Sequence, residues 1–146
     1  MEPRCDTSYL EDGIDAITPE QLLQGRISTQ GGSFFEHVPG GADIYMLMWV
    51  LHDWSDEDCV RILRTCRKAM RPNSLLLVCE LILEADPAIG KLIGYIADVH
   101  MMAMFGRARE RTEAEFRYLF GQSGFALRRV IPTASTISII EAAPTR

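Results

Sequence analysis

The sequence predicts an α/β layered fold, and three of its features carry that prediction. Residues 42–50 and 75–83 are near-continuous apolar runs, typical of strands covered on both faces as in a parallel sheet. A strongly patterned helical segment lies between them, and the chain closes on two shorter apolar runs. The order strand, helix, strand, helix, helix and strand pair indicates helices layered on a sheet, and 146 residues are enough for one such domain.

The segment before the first long strand is polar and weakly patterned. Thr18 is a suitable N-cap and Pro19 suits the first helical position, so a short helix is expected up to Leu23. Residues 26–30 predict a short strand.

The helix between the two long strands has strong boundary signals. Ser55 is a good N-cap, and residues 56–58 place three acidic side chains in the first turn, where the helix dipole favours anions. Pro72 follows the last helical residues. The apolar residues recur with the helical period and predict the side that faces the core, which consists of Val60, Ile62, Leu63, Cys66 and Met70.

The second half of the chain predicts two more helices and a strand pair. Residues 87–105 are mostly apolar and predict a long helix. Thr112 and Glu115 have the spacing of a capping box, which predicts the start of a third helix. Residues 125–131 and 136–141 predict two closing strands, paired antiparallel.

Composition excludes several classes of function. The net charge of −5 argues against a nucleic-acid partner, which requires a basic surface. The four cysteines form no C-x-x-C pair and no metal-ligand spacing with the three histidines, so we expect reduced thiols, no metal site and a cytoplasmic protein. The first residues have no apolar signal region, and no apolar run approaches the ~20 residues of a membrane span, so no membrane association is expected.

Three side chains could carry chemistry. His52 follows the first long strand, at the edge where open α/β sheets bind ligands, and an imidazole can act as a general base near neutral pH. Glu80 interrupts an apolar run, where a carboxylate is costly unless paired, and Glu110 precedes a helix cap. A structural histidine, a strand-end glutamate that reaches water and a solvated loop charge are the alternatives. A histidine that lies between two carboxylates in one cleft indicates a catalytic role more strongly than any of the three residues alone, because carboxylates orient an imidazole and raise its basicity.

Several motifs together resemble one known family. The first two are Gly31-Gly32-Ser33-Phe34-Phe35-Glu36 and Trp49-Val50-Leu51-His52-Asp53-Trp54-Ser55-Asp56-Glu57. Residues 77–80, 98–101, 110–113 and 138–142 continue the pattern in order. The series resembles the second half of the S-adenosylmethionine-dependent small-molecule O-methyltransferases of plants and bacteria, which include caffeic acid, hydroxyindole and polyketide O-methyltransferases.

The resemblance implies a role for each matching residue on the acceptor side. His52 would deprotonate the hydroxyl of a small-molecule acceptor as it attacks the sulfonium methyl group, and Glu80 and Glu110 would bracket the imidazole and hold its tautomer. Asp53 and a methionine group would line the acceptor side, although packing in a helix core explains the methionines equally well. That group comprises Met101, Met102 and Met104.

On the cofactor side the sequence departs from the family pattern. Ser33, beside Phe34, stands where family members usually carry an aspartate near the adenine, and Met48 stands where many carry a lysine near the cofactor. The glycine-rich G-x-G-x-G loop does not occur in the sequence, and the acidic residue that holds the ribose belongs to the same missing portion. We therefore expect the chain alone to bind S-adenosylmethionine weakly or not at all.

The resemblance also implies a topology. The family sheet has the order 3-2-1-4-5-7-6, and this chain would supply the 4-5-7-6 part of a Rossmann-like class I methyltransferase sheet with its flanking helices. Residues 31–146 would form this portion of the catalytic domain, and residues 1–30 a segment outside the family pattern. The strand at residues 42–50 would become an apolar edge, which predicts a homo-oligomer or pairing with another methyltransferase chain.

Three functions fit these observations. The first is an O-methyltransferase that is truncated or completed by a partner polypeptide. The second is a non-catalytic binding or assembly module that pairs with a full-length methyltransferase. The third is a gene remnant without an independent role.

Overall fold

A computed structural model describes residues 30–145, and the helix predicted near Thr18 and nearly all of the strand predicted at residues 26–30 lie outside this range. The described chain forms a mixed sheet of five strands with three α-helices and one short 3₁₀ helix. The predicted α/β fold class is confirmed.

The first two strands are parallel and joined by a helix. Strand β1 (Ile44–Met48) leads through a 3₁₀ helix (Leu51–Asp53) into α1 (Asp56–Ala69), and β2 (Leu75–Leu83) returns beside β1. The Ser55 side chain accepts a hydrogen bond from the Asp58 N–H, so the predicted N-cap is confirmed. Strand β2 has the predicted bounds, whereas β1 is shorter than the predicted 42–50.

The remaining strands complete the sheet on the other side of β2. Strands β4 (Phe125–Pro132) and β5 (Ile137–Pro144) form an antiparallel pair, and β5 also pairs antiparallel with β2. The order of the sheet is β1-β2-β5-β4, which is the expected 4-5-7-6 arrangement. A two-residue strand, β3 (Arg111–Thr112), pairs parallel with the end of β2 and was not predicted.

The second long helix begins later than predicted. Helix α2 spans Leu92–Phe105, whereas the sequence predicted a start at residue 87. The backbone N–H groups of Ile89 and Gly90 bond to the Asp86 carbonyl, so this segment forms a turn instead. Further along, α2 lies close against β2, since a Cβ built at Gly94 would be 3.1 Å from the Leu83 side chain.

The third helix begins as predicted. Helix α3 (Glu113–Gln122) has Thr112 as its N-cap, and Thr112 and Glu115 form the reciprocal bonds of a capping box.

The core lies between one face of the sheet and helices α1 and α3. It contains the predicted residues Ile62, Leu63 and Cys66 of α1 and Met70 directly after it, together with side chains of β2, α3 and β5. Val60, which was predicted to face the core, is only half-buried at its edge. Within residues 30–145, no helix is both long and apolar enough to cross a membrane.

The opposite face of the sheet is thinly covered near β1. The expectation that residues 42–50 are covered on both faces is wrong for the described chain, because Ile44, Met46 and Met48 are each more than half exposed. Only Tyr45 and Leu47, on the other face of the strand, pack against the core. Helix α2 is apolar on most sides and exposes a further set of large side chains, namely Leu92, Ile93, Ile96, Val99, Met102, Met104 and Phe105.

Candidate active site

The candidate site lies where β1 and β2 end, at their carboxyl edge. Trp49 directly follows β1 and has a positive φ of 54°, a left-handed conformation that is uncommon for a residue other than glycine. Its backbone N–H donates to the Cys79 carbonyl at 3.2 Å, so the chain leaves the sheet immediately afterwards and forms the 3₁₀ helix at Leu51–Asp53. This turn places His52 above the end of β2.

Glu80 is fully buried beneath this turn. Its Oε1 atom accepts hydrogen bonds from the N–H groups of Val50 and Leu51 at 3.0 and 2.8 Å, and so satisfies two donors at the start of the 3₁₀ helix. Its Oε2 atom is buried without a hydrogen-bond partner among residues 30–145. Burial raises the pKa of this carboxyl, while the nearby His52 and the two backbone N–H groups offset part of that effect.

Glu110 makes the direct contact with the imidazole. His52 Nδ1 and Glu110 Oε1 are 3.2 Å apart, within hydrogen-bond distance. An ionised carboxylate can only accept, so this bond places the proton of a neutral imidazole on Nδ1 and leaves the lone pair on Nε2. His52 Nδ1 is also 4.0 Å from Glu80 Oε2, which is an electrostatic contact rather than a hydrogen bond.

Three carboxylates therefore surround one half-buried histidine. Burial acts to lower the pKa of His52, but the hydrogen bond to Glu110 and the charges of Glu80, Asp53 and Glu110 outweigh it, so the pKa lies above its usual 6.5. Asp53 Oδ1 lies 3.4 Å from His52 Nε2, and burial raises the pKa of that carboxyl although His52 opposes the change. The arrangement suits a histidine that accepts a proton and is stabilised as an imidazolium.

Two arginines hold the loop that carries Glu110. The fully buried Arg111 donates to the carbonyls of Leu51 and Trp54 at 2.8 and 2.7 Å and to Asp56 at 2.9 Å. The Arg109 side chain also bonds to Asp56, at 2.7 Å, and its backbone N–H donates to the His52 carbonyl. Desolvation opposes ionisation of Asp56, but the two guanidinium groups hold the pKa of its carboxyl below the usual range. The loop and the 3₁₀ helix are thus fixed to each other.

Helix α2 supports the same loop from another side. The Glu110 backbone N–H donates to Asp98 Oδ1 at 2.9 Å. No role was predicted for Asp98, Arg111 or Trp49 from the sequence. Two signals could have pointed to Asp98: it is polar inside the mostly apolar 92–105 segment, and it begins the family motif at residues 98–101. For Arg111 the available signal was its place in the family motif at residues 110–113, which does not include Arg109.

The residues predicted for the cofactor side lie in the turn that follows Ser33 and at the end of β1. Phe34 packs edge-on against Trp54, with ring centroids 5.9 Å apart, and Phe35 packs on the same indole at 4.7 Å. The Ser33 carbonyl closes the turn that carries these rings. Met48, at the end of β1, is 54% exposed, so its side chain is accessible.

The predicted methionines differ in their surroundings. Met101 is 7% exposed and belongs to the buried part of α2, whereas Met104 is 62% exposed. The structure thus brings His52, Asp53, Glu80 and Glu110 together through direct contacts, and the acceptor-side role of the methionines stays a prediction.

A comparison with protein families identifies the family to which this chain belongs. A profile described as an O-methyltransferase domain matches residues 14–126. The chain belongs to this O-methyltransferase family. The resemblance drawn from the sequence motifs is confirmed, while the boundary placed at residue 31 stays a prediction, since the match begins before it.

Curated relatives of this chain are small-molecule O-methyltransferases. Phenazine O-methyltransferase PhzM of Lysobacter antibioticus is 49% identical over 141 residues, which are 95% of this chain and 40% of that protein. Mitomycin biosynthesis 6-O-methyltransferase of Streptomyces lavendulae is 41% identical over 145 residues, again 95% of this chain and 40% of that protein. The O-methyltransferase chain thus spans about 40% of the length of these relatives.

Solved structures of the family have the same fold. The crystal structure of LaPhzM superposes with a TM-score of 0.81 and 43% identity, covering 91% of this O-methyltransferase chain and 38% of that one. The O-methyltransferase NcsB1 from neocarzinostatin biosynthesis, solved with S-adenosylmethionine and 2-hydroxy-5-methyl naphthoic acid, gives a TM-score of 0.78 at 34% identity. The match covers 97% of this chain and 39% of the NcsB1 chain.

Proposed function

We propose that this chain carries the acceptor side of an O-methyltransferase active site. With the cofactor side completed, it transfers a methyl group from S-adenosylmethionine to the hydroxyl of a small aromatic or polyketide-like acceptor. The supporting observation is the polarised histidine: Glu110 binds Nδ1 of His52 at 3.2 Å, so the lone pair of Nε2 is left to take a proton.

His52 is the proposed general base. S-adenosylmethionine, when bound, supplies an electrophilic methyl group on a sulfonium. A phenolic hydroxyl has a pKa of ~10, so it is mostly protonated at neutral pH, and a positioned base accelerates its attack by ~10²–10⁴. The acceptor proton passes to Nε2, and the imidazolium that forms is stabilised by Glu110 at Nδ1 and by the charges of Glu80 and Asp53. Glu80 also fixes the turn beneath the imidazole through Val50 and Leu51.

The described residues fit one side of the cofactor. Phe34 offers an apolar aromatic face that would contact the adenine, Ser33 offers a hydroxyl and Met48 lies accessible at the end of β1. None of these three carries a charge that could hold the ribose or the amino-acid end, which agrees with the expectation of weak binding by the chain alone.

The test is a methylation assay on two forms of the protein. One form is the chain itself. The other is a fusion with the part of the Lysobacter phenazine O-methyltransferase that this chain does not match, because the chain spans 40% of that relative. Transfer of labelled methyl groups to phenazine and naphthoic acid hydroxyls is measured. His52→Ala should lower turnover at least ~10²-fold, whereas His37→Ala, at an exposed position outside the cluster, should not.

Two outcomes would contradict this proposal. One is turnover that His52→Ala leaves unchanged, which would remove the histidine from the mechanism. The other is a fusion that binds S-adenosylmethionine but methylates no hydroxyl.

A second candidate role is assembly, and the exposed side of β1 favours it. The free edge of β1 has no paired strand among residues 30–145, and Ile44, Met46 and Met48 are exposed beside it. We infer that this strand pairs with a second copy or with another methyltransferase chain, because unpaired backbone groups and apolar side chains are then covered together.

Light scattering at micromolar concentration tests the assembly. Met46→Lys should shift the chain toward a monomer, since Met46 is 59% exposed, whereas Leu47 packs on the core and a lysine there would disturb folding. Tyr118→Lys on α3, at a position 61% exposed, is the matched control and should leave the mass unchanged. A parent chain that is monomeric and folded would refute the assembly.

We also propose the cytoplasm as its compartment. Cys59, Cys66 and Cys79 are free and buried within residues 30–145, which agrees with a reducing environment.

A further inference from the structure

The cluster at the centre of the site has the composition of a metal site. His52, Glu80 and Glu110 each offer one ligand atom, and these atoms all lie within 4.8 Å of one another. The residues are far apart along the chain, so they show no local metal-ligand spacing. They meet because the ends of two strands and the loop before α3 converge.

One atom of the cluster, Glu80 Oε2, indicates that a ligand binds there. Glu80 is 0% exposed, and its Oε2 has no hydrogen-bond partner within the described part of the chain. The same atom lies 4.0 Å from His52 Nδ1, so it faces the space between the imidazole and the Glu110 carboxylate. A buried carboxylate oxygen left without a donor is costly, and a cation in this space would satisfy it.

We propose that His52 Nδ1, Glu80 Oε2 and Glu110 Oε1 form a binding site for a divalent cation of the zinc type. Zinc is bound by imidazole nitrogen and carboxylate oxygen at ~2.0–2.2 Å, so two of its tetrahedral ligands lie ~3.3 Å apart. The distance from Nδ1 to the Glu110 oxygen is 3.2 Å, which already fits. The distance from Nδ1 to the Glu80 oxygen is 4.0 Å and must shorten by a small side-chain rotation.

The charge of the three ligands and the hydrogen bonds that hold them also suit a divalent ion. Two carboxylates and a neutral imidazole carry a charge of −2, which the ion neutralises, and the proton on Nδ1 is released when the ion binds. Both carboxylate ligands are held by further contacts: Glu80 by the N–H groups of Val50 and Leu51, and the backbone of Glu110 by Asp98. Such outer contacts orient metal ligands and maintain their geometry.

The number and type of donors select among metals. Calcium requires six to eight oxygen ligands, and magnesium retains several waters in an octahedral shell, so three buried or half-buried ligands that include one nitrogen suit neither. Zinc accepts three protein ligands and leaves a fourth position open. Two buried thiols compete little, because burial raises the pKa of Cys59 to about 12 and of Cys66 to about 11.

Binding of the ion is independent of the proposed methyl transfer. The effect of the bound ion on activity rests on the proposed methyl transfer. An ion on Nδ1 withdraws electron density from the imidazole and so weakens Nε2 as a base. A zinc-type ion would therefore act as an inhibitor at this site.

Calorimetric titration of zinc chloride into the metal-free full chain tests the proposal. All forms carry Cys5→Ser, which removes a thiol outside the described residues. We expect one ion per chain with a Kd of micromolar order or tighter at pH 7.5. Glu80→Gln and Glu110→Gln should each weaken binding at least tenfold, whereas His37→Gln, at an exposed histidine outside the cluster, should not. Magnesium chloride should give no binding.

A second readout identifies the ligand atom. In nitrogen-15 spectra of the imidazoles, zinc should shift the Nδ1 resonance of His52, and circular dichroism without metal reports whether each variant is folded. If Glu80→Gln is unfolded, Glu110→Gln decides the result. Absence of zinc binding at 100 μM, or binding that the carboxylate substitutions leave unchanged, would overturn the proposal. These results involve no methyl transfer, so they are separable from failure of the proposed enzyme activity.

Discussion

Replacing Arg111 with methionine should destabilise the chain much more than replacing an exposed arginine. The guanidinium is fully buried and donates to the Leu51 and Trp54 carbonyls and to Asp56 at 2.8, 2.7 and 2.9 Å. Methionine keeps most of the apolar stem, so Arg111→Met chiefly removes these bonds.

The expected loss of stability depends on which hydrogen bonds the partners of Arg111 keep after the substitution. Hydrogen bonds to charged groups contribute ~1.5–3 kcal/mol each, but the Leu51 carbonyl keeps a bond from the Cys59 thiol at 3.2 Å. Asp56 is 43% exposed and keeps its ion pair with Arg109, so the loss of its bond from Arg111 contributes little. The Trp54 carbonyl loses its strongest donor. The sum is a loss of about 2–4 kcal/mol, a large part of the ~5–15 kcal/mol stability of a typical domain.

Urea denaturation, followed by circular dichroism, measures this loss. Arg117→Met is the matched control, because Arg117 is 58% exposed and makes one i,i+4 ion pair with Glu113, a type of contact that contributes ~0.3–0.5 kcal/mol. A change below ~1 kcal/mol in Arg111→Met, or one equal to the control, would show that the carbonyls are satisfied in another way and that Arg111 does not fix the loop.

Three further predictions concern the cofactor, the histidine and a helix cap. Calorimetry should find that the chain alone binds S-adenosylmethionine more weakly than ~10 μM, equivalent to ~7 kcal/mol, and tighter binding would mean that the changed cofactor side costs little. In an NMR titration the midpoint of His52 should lie above 6.5 and fall in Glu110→Gln, because a hydrogen bond and a negative charge are lost while burial remains; an unchanged midpoint would exclude that role for Glu110. Since this pKa is higher in the folded chain than in the unfolded one, protonated His52 stabilises the fold below pH ~6.5, and that contribution is lost as the pH rises through the folded-state pKa. Thr112→Ala should cost ~1 kcal/mol in urea denaturation, because the capping box with Glu115 is broken, and a change of less than ~0.3 kcal/mol would contradict this.

Elements with local signals could be predicted from the sequence. The N-cap at Ser55 and the capping box at Thr112 were predicted correctly, since a cap depends on a few neighbouring residues. The bounds of β2 were also correct, because an apolar run ends clearly at polar residues. The 87–105 segment was wrong at its start, where Asp86 bonds to the N–H groups of the following turn through its side chain and its carbonyl.

Features that depend on distant parts of the chain could not be predicted in this way. A carboxylate within an apolar run indicated that Glu80 needs a partner, but only the fold shows that its partners are the N–H groups of Val50 and Leu51. The buried position of Arg111 depends on carbonyls of a turn far earlier in the sequence. Strand β3 has two residues, which is too short for any periodic pattern.

The left-handed bend at Trp49 brings an indole next to the imidazole of His52, with ring centroids 5.0 Å apart. A protonated imidazole at contact distance quenches indole fluorescence, whereas a neutral one does so much less. The other tryptophan, Trp54, packs between phenylalanine rings instead. The emission of Trp49 is therefore an optical signal of the charge on a single histidine, and it would follow protons, metal ions or acceptor molecules at the site without any attached dye.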